Sequence, residues 1–437
     1  MTPELDDSGR PILAATPDTK AAWLTSRSPS LESVLRNTVA MILAGGQGER
    51  LHPLTRDRAK PAVPFGGIYR IIDFTLSNCV NSGIHKIHAL TQYKSYSFDR
   101  HVKQAWNIFH GDRGEYLDVI PPQHRSVERW YQGTADAVFQ NIYTLDMERP
   151  ELVLVLGGDH VYKMDYSEMI AAHVEAGADL TVACTEVPLD DAHRFGALGV
   201  RDDWRIETFR EKPEAPTPIP GNPDCALVSI GIYVFNTEVL VRELIRDARA
   251  DSRHDFGKDI IPAMIASGRR VLAFPFRDRN HQRVKYWRDI GTLDSYYDAN
   301  MDLVAVSPIF NLYDRDWPIR TGQHCGPPAK TVFRGPERQG EVLDSLVSPG
   351  CIISGARVEH SILGPGVFVH SWARVEECVV FGNVEIGRHA QVRRAIVDKD
   401  VRIHDGQRIG YDLARDRERF AVTDNGVVVV AKGTDVQ

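Results

Sequence analysis

The sequence lacks the marks of several protein classes. Its 437 residues include six cysteines, none of them in a CxxC pair, and this scatter favours reduced thiols over disulfides or a zinc site. The chain has no run of about 18 apolar residues, which argues against a transmembrane helix, and no signal-peptide pattern at its start. A net charge of −7 argues against nucleic-acid binding. We therefore expect a cytoplasmic protein with no membrane or nucleic-acid partner.

The composition, with 43% hydrophobic and 25% charged residues, is typical of a globular protein, and the length predicts two domains. Residues 1–37 are polar and rich in Pro, Ser and Thr, which predicts a flexible N-terminal arm. Residues 38–306 alternate strand and helix patterns, which predicts an α/β domain with a mostly parallel sheet. Residues 307–340 contain five prolines and little periodicity, so we interpret them as a connector.

Local signals place several elements of the α/β domain. We predict strands at 39–43, 84–90, 152–156 and 180–184, and helices at 73–82, 134–147 and 165–176. Gly83 and Gly177 are expected to end two of these helices, and Thr134 is predicted as the N-cap of another. Together the elements predict a Rossmann-like βαβ arrangement.

Residues 341–437 carry a six-residue repeat. An amphipathic helix repeats every 3.6 residues and a half-buried strand every 2, whereas a hexapeptide period is typical of a parallel β-helix. We predict a left-handed β-helix here, with a β-sandwich of short strands as the alternative. The repeat consists of four aliphatic triplets that follow one another at a constant spacing: Leu346, Ile352 and Val358; Leu363, Val369 and Val375; Val380, Ile386 and Val392; Val397, Ile403 and Ile409.

The open ends of such a solenoid expose strand edges, so they need a cap from the chain itself or from another subunit. Residues 420–422 and 427–430 offer apolar material for a cap. The repeat therefore predicts assembly as well as shape.

A glycine-rich turn follows the first predicted strand. Gly45 and Gly46 open it, and such a turn lets backbone N–H groups approach phosphates. Its spacing matches neither the P-loop nor the dinucleotide fingerprint, so a plain tight turn is the alternative. Arg50 follows immediately and Lys60 ten residues later, and two cations beside such a loop suit a triphosphate or pyrophosphate.

Asp159 follows the strand predicted at 152–156, from which Gly157 and Gly158 separate it. The carboxyl ends of parallel strands are where α/β sheets bind their ligands, and a carboxylate suits Mg²⁺. An ordinary turn residue is the alternative for an isolated Asp.

Several multi-residue blocks resemble the sugar-phosphate nucleotidylyltransferases, and more closely the bacterial ADP-glucose pyrophosphorylases (glucose-1-phosphate adenylyltransferases). The resemblance runs from about residue 38 to the C-terminus, and it also implies a nucleotidyltransferase domain joined to a left-handed β-helix. The blocks are residues 45–55 with Lys60 and Pro61, then 65–78, 130–137, 158–163, 211–213, 229–235, 254–259 and 286–292.

The resemblance implies that α-D-glucose 1-phosphate attacks ATP to give ADP-glucose and pyrophosphate, in an allosterically regulated homotetramer that supplies glycogen synthesis. It implies Arg50, Lys60 and Asp159 as catalytic residues, and Asp159 with Asp289 as ligands of Mg²⁺. Lys212 carries over as the contact to the phosphate of glucose 1-phosphate. Sugar-pocket residues carried over are Glu211, Ser229, Tyr233, Asp255 and Trp287; those carried over for ATP are Gly45, Gly46, Gln92, Tyr131 and Gly133. Trp130 and Tyr131 could equally be core aromatics.

Departures from the family pattern concern mostly the effector region. Glu49 stands where the wider family usually has Thr or Ser, Asp57 where enterobacterial enzymes have Lys, and Pro64 where they have His. Fructose 1,6-bisphosphate should therefore activate poorly, and a monophosphate such as fructose 6-phosphate, or an anion such as pyruvate, should be preferred. AMP is a further expected effector. Arg58, Arg70, Arg393 and Arg394 are predicted as anion contacts between the domains.

Four other functions compete with this one. A UDP- or dTDP-glucose pyrophosphorylase would use another nucleotide, although the 130–137 block favours ATP. A bifunctional acetyltransferase would need an acetyl-CoA signature, and a catalytically silent regulatory subunit would lack Arg50, Lys60 or Asp159. A purely structural β-helix scaffold leaves the long α/β part of the chain without a function.

Overall fold

The computed structural model describes residues 30–123, 130–219, 222–279, 285–323 and 325–437. Of the predicted flexible arm, residues 1–29 lie outside these ranges. Its last part departs from the prediction, because Leu31–Arg36 form a short helix, α1, whose N-terminus is capped by the side chain of Ser30. No helix in the described ranges is long and apolar enough to cross a membrane.

The α/β domain contains nine helices and thirteen strands within the described residues, α1 included. The helices are α1, α2 (Ile71–Asn81), α3 (Tyr96–Ala105), α4 (Thr134–Gln140), α5 (Ile142–Glu148), α6 (Tyr166–Ala176), α7 (Thr237–Asp247), α8 (Ile261–Ala266) and α9 (Leu293–Met301). The strands are β1 (Thr38–Leu43), β2 (Pro64–Phe65), β3 (Tyr69–Arg70), β4 (Lys86–Leu90), β5 (Tyr116–Ile120), β6 (Leu152–Gly157), β7 (His160–Tyr162), β8 (Leu180–Pro188), β9 (Gly196–Val200), β10 (Ile206–Glu211), β11 (Cys225–Asn236), β12 (Val271–Pro275) and β13 (Trp287–Asp289).

The central sheet of this domain confirms the predicted Rossmann-like α/β fold. Its main path runs β10-β9-β11-β6-β1-β4-β5, with β8 and β12 joined through β11. Parallel pairing joins β6-β1-β4-β5 and also β8 with β12. Strand β1 is almost wholly buried because helices cover both faces. Antiparallel pairing is confined to β11 and its neighbours β6, β8 and β9, and to β9 with β10. The carboxyl ends of β1 and β6 therefore lie side by side.

Two helix boundaries differ from the sequence prediction. The helix predicted from residue 73 starts at Ile71, because the Asp73 carboxylate accepts the backbone N–H of Arg70 at 2.8 Å and so satisfies the helix start. The helix predicted over 134–147 divides at Asn141 into α4 and α5. Thr134 is the first residue of α4 and Gly133 is its N-cap, because the Thr134 hydroxyl is bonded to Asp255 instead.

The C-terminal domain is a parallel β-helix, as predicted. Its strands are β14 (Lys330–Val332), β15 (Glu341–Leu343), β16 (Leu346–Val347), β17 (Ile352–Ser354), β18 (Arg357–Glu359), β19 (Ile362–Leu363), β20 (Phe368–Val369), β21 (Arg374–Val380), β22 (Glu385–Ile386), β23 (Gln391–Val397), β24 (Arg402–Ile403), β25 (Arg408–Ile409), β26 (Ala421–Val422), β27 (Val428–Val430) and β28 (Asp435–Val436), with helix α10 (Leu413–Arg419). They stack as three columns. The first is β14-β17-β20-β22-β24-β28. The second joins β15 and β18 to the first halves of β21 and β23 and then to β25. The third joins β16 and β19 to the second halves of β21 and β23 and then to β27. Strand β14 falls inside the segment that we predict as a connector.

The hexapeptide positions form the buried core of this domain from Val358 onward. The first two positions of the first triplet are displaced by one residue. Ile352 is 38% exposed whereas Ile353 is fully buried and aligns with Val369, and Val347 rather than Leu346 aligns with Leu363. The cause is the length of the first coil, which is shorter by one residue than the coil that joins Val358 to its partner Val375. A constant spacing applied to every coil therefore misplaces Ile352 by one residue.

The C-terminal tail closes one end of the solenoid. Val428–Val430 pair in parallel with 395–397 and extend the third column, while Ala421–Val422 fold back antiparallel onto them. Phe420 and Val422 pack against the core. The apolar tail segments thus act as the predicted cap.

The two domains share a buried interface. The third strand column packs Ile362, Val379 and Ile396 against apolar side chains of the α/β domain such as Phe65 and Tyr296. Buried Arg58 donates to both oxygens of Asp398 at 3.0 Å. The segment between the domains is also attached to the α/β domain, because the buried Lys163 ammonium donates to Asp314 and to the carbonyl of Asn311. Each domain is therefore held against the other.

Candidate active site

A cavity of about 610 Å³ opens where the loops following β1 and β6 meet. It brings together every residue predicted for catalysis, for metal binding and for the two substrates, from segments far apart in the chain. These lining residues are Gly45, Gly46, Arg50, Lys60, Gln92, Tyr131, Gly133, Asp159, Glu211, Lys212, Ser229, Tyr233, Asp255, Trp287 and Asp289. The predicted effector residues Arg58, Arg70, Arg393 and Arg394 do not line it.

The carboxylates of Asp159 and Asp289 meet across the two-stranded ribbon of β7 and β13. This ribbon pairs Asp289 with His160, which explains how two residues so distant in the chain come together. Lys60 Nζ lies 2.7 Å from Asp159 Oδ2 and 3.5 Å from Asp289 Oδ1. Within the described residues, Asp159, His160 and Asp289 are a group whose ligand atoms lie within 4.8 Å of one another.

The opposite charges in this cluster stabilise the ionised forms of its side chains. Burial acts to lower the pKa of Lys60, but the charges of Asp159 and Asp289 outweigh it and raise that pKa. Burial likewise acts to raise the pKa of Asp159, but Lys60 and His160 hold it well below its usual value. Near neutral pH, Lys60 is therefore protonated and Asp159 is ionised.

The glycine-rich turn lies beside this cluster. Gly48 has φ of +66°, and a β-carbon there would lie 3.0 Å from Lys60 Cβ and from Thr55 Cγ2, so a side chain would displace the lysine. Arg50 is exposed and lies near the metal-site carboxylates: a β-carbon built on Gly291 would be 2.9 Å from Asp289 Oδ2 and 3.6 Å from Arg50 Nη2. Two cations thus line the cavity beside the turn: Lys60, which is buried and held by carboxylates, and Arg50, which is exposed.

The nucleotide side of the cavity is built around Gln92. Its Oε1 accepts the backbone N–H of Tyr131 at 3.0 Å, and the Tyr131 hydroxyl accepts a hydrogen bond from Asn141. Tyr131 packs against the core, whereas Trp130 is 51% exposed and stacks on Tyr93 with ring centroids 5.0 Å apart. Of the two aromatic residues, only Tyr131 therefore has the surroundings of a core residue.

The sugar-phosphate side centres on Lys212, whose side chain is 60% exposed and whose Nζ lies 3.7 Å from Glu211. Lys212 has φ of +51°, and its backbone N–H donates to the carbonyl of Phe195 at 2.9 Å. Burial raises the pKa of Glu211. Deeper in the pocket, buried Ser229 lies 3.5 Å from the Tyr233 hydroxyl. One exposed ammonium and a set of buried polar groups therefore share this half of the cavity.

Some lining residues were outside the sequence prediction. Phe195 packs edge-on against Trp287, and His160 lies against the same indole with centroids 5.1 Å apart. Thr134 bridges to Asp255. His160 and Thr134 lie in the blocks 158–163 and 130–137 that carry the family resemblance, although neither was predicted as a site residue. Phe195 lies in none of these blocks.

The predicted effector residues fall into two groups. Arg58 is bound to Asp398, and Arg70 donates to the carbonyls of Ala62 and Ser97; Lys399 interacts electrostatically with both arginines. Arg393 and Arg394 lie before the strand segment 395–397, with Arg393 over Tyr411 and Arg394 over Tyr297. Asp398 and Lys399 follow that segment, so Lys399 rather than the 393–394 pair accompanies Arg58 and Arg70.

Known proteins match both domains. The family model described as nucleotidyl transferase matches residues 39–305, and the model described as GlmU-like, C-terminal hexapeptide matches residues 327–430, which supports the left-handed β-helix. The second match begins inside the predicted connector, as does strand β14.

Relatives of this chain are similar over nearly their whole length. The glucose-1-phosphate adenylyltransferase of Rhodopirellula baltica is 54% identical over 409 residues, covering 92% of this chain and 91% of the relative. That of Nitrosomonas europaea is 52% identical over 412 residues, covering 93% and 95%. That of Koribacter versatilis is 49% identical over 398 residues, covering 90% and 95%. The chain therefore belongs to the nucleotidyl transferase family of enzymes and, within it, to the glucose-1-phosphate adenylyltransferases.

Proposed function

We propose that this enzyme transfers the adenylyl group of ATP to α-D-glucose 1-phosphate, forming ADP-glucose and releasing pyrophosphate. The observation that carries the proposal is that one cavity holds both a carboxylate pair with Lys60 and a separate exposed lysine, Lys212, beside buried polar groups. A two-substrate phosphoryl reaction needs this division, because each anionic substrate requires its own cation.

In the proposed reaction, an oxygen of the sugar phosphate attacks the α-phosphorus of ATP, and the bond from that phosphorus to the bridging oxygen breaks. Lys212 holds the attacking phosphate, and the glycine-rich turn with Arg50 binds the leaving pyrophosphate and stabilises its charge. Lys60 stands between the two subsites, where its ammonium stabilises negative charge that develops on the α-phosphate. No protein nucleophile is required, so positioning and charge supply the catalysis.

The carboxylates of Asp159 and Asp289 fit Mg²⁺, because their hard oxygen atoms are close enough to share one cation. The Lys60 ammonium contacts both carboxylates, and this contact supports the proposal of a cation site here. Bound Mg²⁺ would screen the phosphate charges and polarise the reacting phosphoryl group. Asp159 and Asp289 would hold it.

Comparing turnover with ATP, UTP and dTTP tests the choice of nucleotide. We expect ATP to give the highest kcat/KM, with ADP-glucose and pyrophosphate formed in equal amounts. Higher kcat/KM with UTP or dTTP would instead favour a UDP- or dTDP-glucose pyrophosphorylase. Retention of Arg50, Lys60 and Asp159 in the cavity favours an active enzyme over a silent regulatory subunit.

We further propose a cytoplasmic homotetramer that supplies the glucosyl donor for glycogen synthesis and responds to small anionic effectors. The support for regulation is the group of cations Arg58, Arg70 and Lys399 at the boundary between the domains. An anion bound there would contact both domains at once.

We predict that fructose 1,6-bisphosphate activates poorly. Asp57 carries negative charge beside this region and is paired with Arg56 at 3.2 Å, so a second phosphate would meet repulsion. Activation curves should show at least roughly tenfold weaker apparent affinity for the bisphosphate than for fructose 6-phosphate or pyruvate, equivalent to about 1.4 kcal/mol. Asp57→Lys should reduce the difference in apparent affinity between the bisphosphate and the other two effectors. Activation of the unchanged protein by micromolar bisphosphate would contradict the prediction.

We also predict that anion activation weakens as the pH rises. Burial, together with the charges of Arg70 and Arg58, lowers the pKa of Lys399 to about 8, against the opposing influence of Asp398 and Asp400. Lys399 therefore loses its positive charge as the pH rises through about 8, and the apparent affinity for the effector should fall over that range. In Lys399→Arg the charge persists, so activation curves measured at several pH values should shift less. Equal shifts in the two proteins would exclude Lys399 from the effector site.

A further inference from the structure

The two halves of the cavity meet at Thr134, a residue without a role in the reaction outlined above. Its hydroxyl donates to Asp255 Oδ2 at 2.9 Å and accepts the backbone N–H of Phe256 at 3.0 Å. Thr134 follows Gly133 on the nucleotide side, whereas Asp255 lies on the sugar-phosphate side, 121 residues further along the chain. One side chain thus links the loops that serve the two substrates.

Backbone contacts hold the same two loops together. The N–H groups of Ala135 and Asp136 donate to the carbonyl of His254 at 2.8 and 3.2 Å. A β-carbon on Gly133 would lie 2.2 Å from that carbonyl oxygen, so the loops are in direct contact. His254 has φ of +53°, and its ring is held by Asp247 at 2.7 Å. The start of α4 and the loop before Phe256 are therefore directly hydrogen-bonded and packed together.

The contact continues towards Lys212. The other oxygen of Asp255, Oδ1, accepts the backbone N–H groups of Gly257 and Lys258 at 3.0 and 3.1 Å. A β-carbon on Gly257 would lie 2.7 Å from Glu211 Oε2, so this backbone packs directly against the residue that precedes Lys212. Three protein donors on Asp255 leave it little free acceptor capacity. Its carboxylate thus fixes the loop more than it binds the sugar.

We propose that Thr134 is a positioning residue that couples the nucleotide and sugar-phosphate subsites, so that each substrate preorganises the site for the other. The inference rests on the proposed function. The Thr134 hydroxyl is suited to this role because it donates to one residue of the sugar-phosphate loop and accepts from the next. Such coupling is reciprocal by linkage, so it appears as an equal change in both affinities.

The test compares Thr134→Val, which keeps the shape and removes both hydrogen bonds, with Thr134→Ser, which keeps the hydroxyl. Thr237→Val is the matched control, because the buried Thr237 hydroxyl has no hydrogen-bond partner among the described residues. Isothermal titration measures the Kd of glucose 1-phosphate for the full chain with Mg²⁺, with and without a non-reactive ATP analogue. We expect the analogue to tighten binding by roughly 5- to 150-fold in the unchanged protein. In Thr134→Val this factor should fall to within about twofold of one, while Thr134→Ser and Thr237→Val keep it.

Three results would overturn the inference. One is an unchanged protein in which the analogue has no effect on glucose 1-phosphate binding. Another is a Thr134→Val protein that retains the full factor. The third is a Thr134→Val protein that binds both ligands more weakly by equal amounts with the factor preserved, which would indicate a purely structural role. Turnover of the unchanged protein separates this from the proposed function: without ADP-glucose synthesis the function itself fails, whereas synthesis with unaltered coupling defeats only the role of Thr134.

Discussion

Replacing Asp159 with Asn is expected to lower kcat by at least about two orders of magnitude while leaving the fold intact. The Asp159 carboxylate holds Lys60 at 2.7 Å and lies with Asp289 in the cluster proposed to bind Mg²⁺. Loss of one preorganised charge element of this kind typically costs ~3 kcal/mol or more of transition-state stabilisation. The amide cannot replace the negative charge, so both Lys60 and the metal lose a partner.

Steady-state kinetics at saturating ATP, glucose 1-phosphate and Mg²⁺ measure this effect, and thermal unfolding monitors the fold. Asp202→Asn is a suitable control, because Asp202 is exposed in the turn after β9 and does not line the cavity. The same loss is expected in Asp289→Asn. A near-normal kcat in Asp159→Asn would remove this residue from the metal site and from catalysis.

The parts of the fold that the sequence predicted are those governed by local periodicity. Buried strands such as β1 and β6 are continuous apolar runs, and from Val358 onward the hexapeptide repeat identifies the side chains that face the core of the solenoid. The errors occur where a tertiary contact overrides a local preference. Thr134 has the side chain of a good N-cap, yet its hydroxyl is used by Asp255, a residue that no local pattern could place beside it.

In the candidate site, too, some features could be predicted from local sequence and others depend on tertiary contacts. The glycine-rich turn, Arg50 and Lys60 are close in sequence, so their spacing predicts a site for a triphosphate or pyrophosphate, whereas their catalytic roles came from the family resemblance. Asp289 could be joined to Asp159 only through the family resemblance, because the β7–β13 ribbon that pairs them is short and carries no strong sequence signal. The grouping of Lys399 with Arg58 and Arg70 depends on how the two domains pack, which sequence spacing does not encode.

Replacing Lys212 with Ala is expected to raise the KM for glucose 1-phosphate by roughly 10- to 100-fold, because a charge-assisted contact to a phosphate contributes about 1.5–3 kcal/mol. The side chain is 60% exposed and its nearest carboxylate, that of Glu211, is 3.7 Å away. Few interactions therefore hold the ammonium in the free protein, and it is available to a ligand. Removing it should leave the fold unaffected, since an exposed lysine contributes little to the core.

The same substitution separates the two subsites. The KM for ATP should change by less than about threefold, because the proposed pyrophosphate contacts are the glycine-rich turn and Arg50, not Lys212. Lys103→Ala is a matched control, since Lys103 is 73% exposed and pairs with Asp99 on α3, outside the cavity lining. Lys212→Arg should recover part of the affinity, because the guanidinium keeps the charge but differs in reach and hydrogen-bond geometry. Equal losses for ATP and glucose 1-phosphate would mean that Lys212 acts on both substrates, and the division of the cavity into two subsites would have to be redrawn.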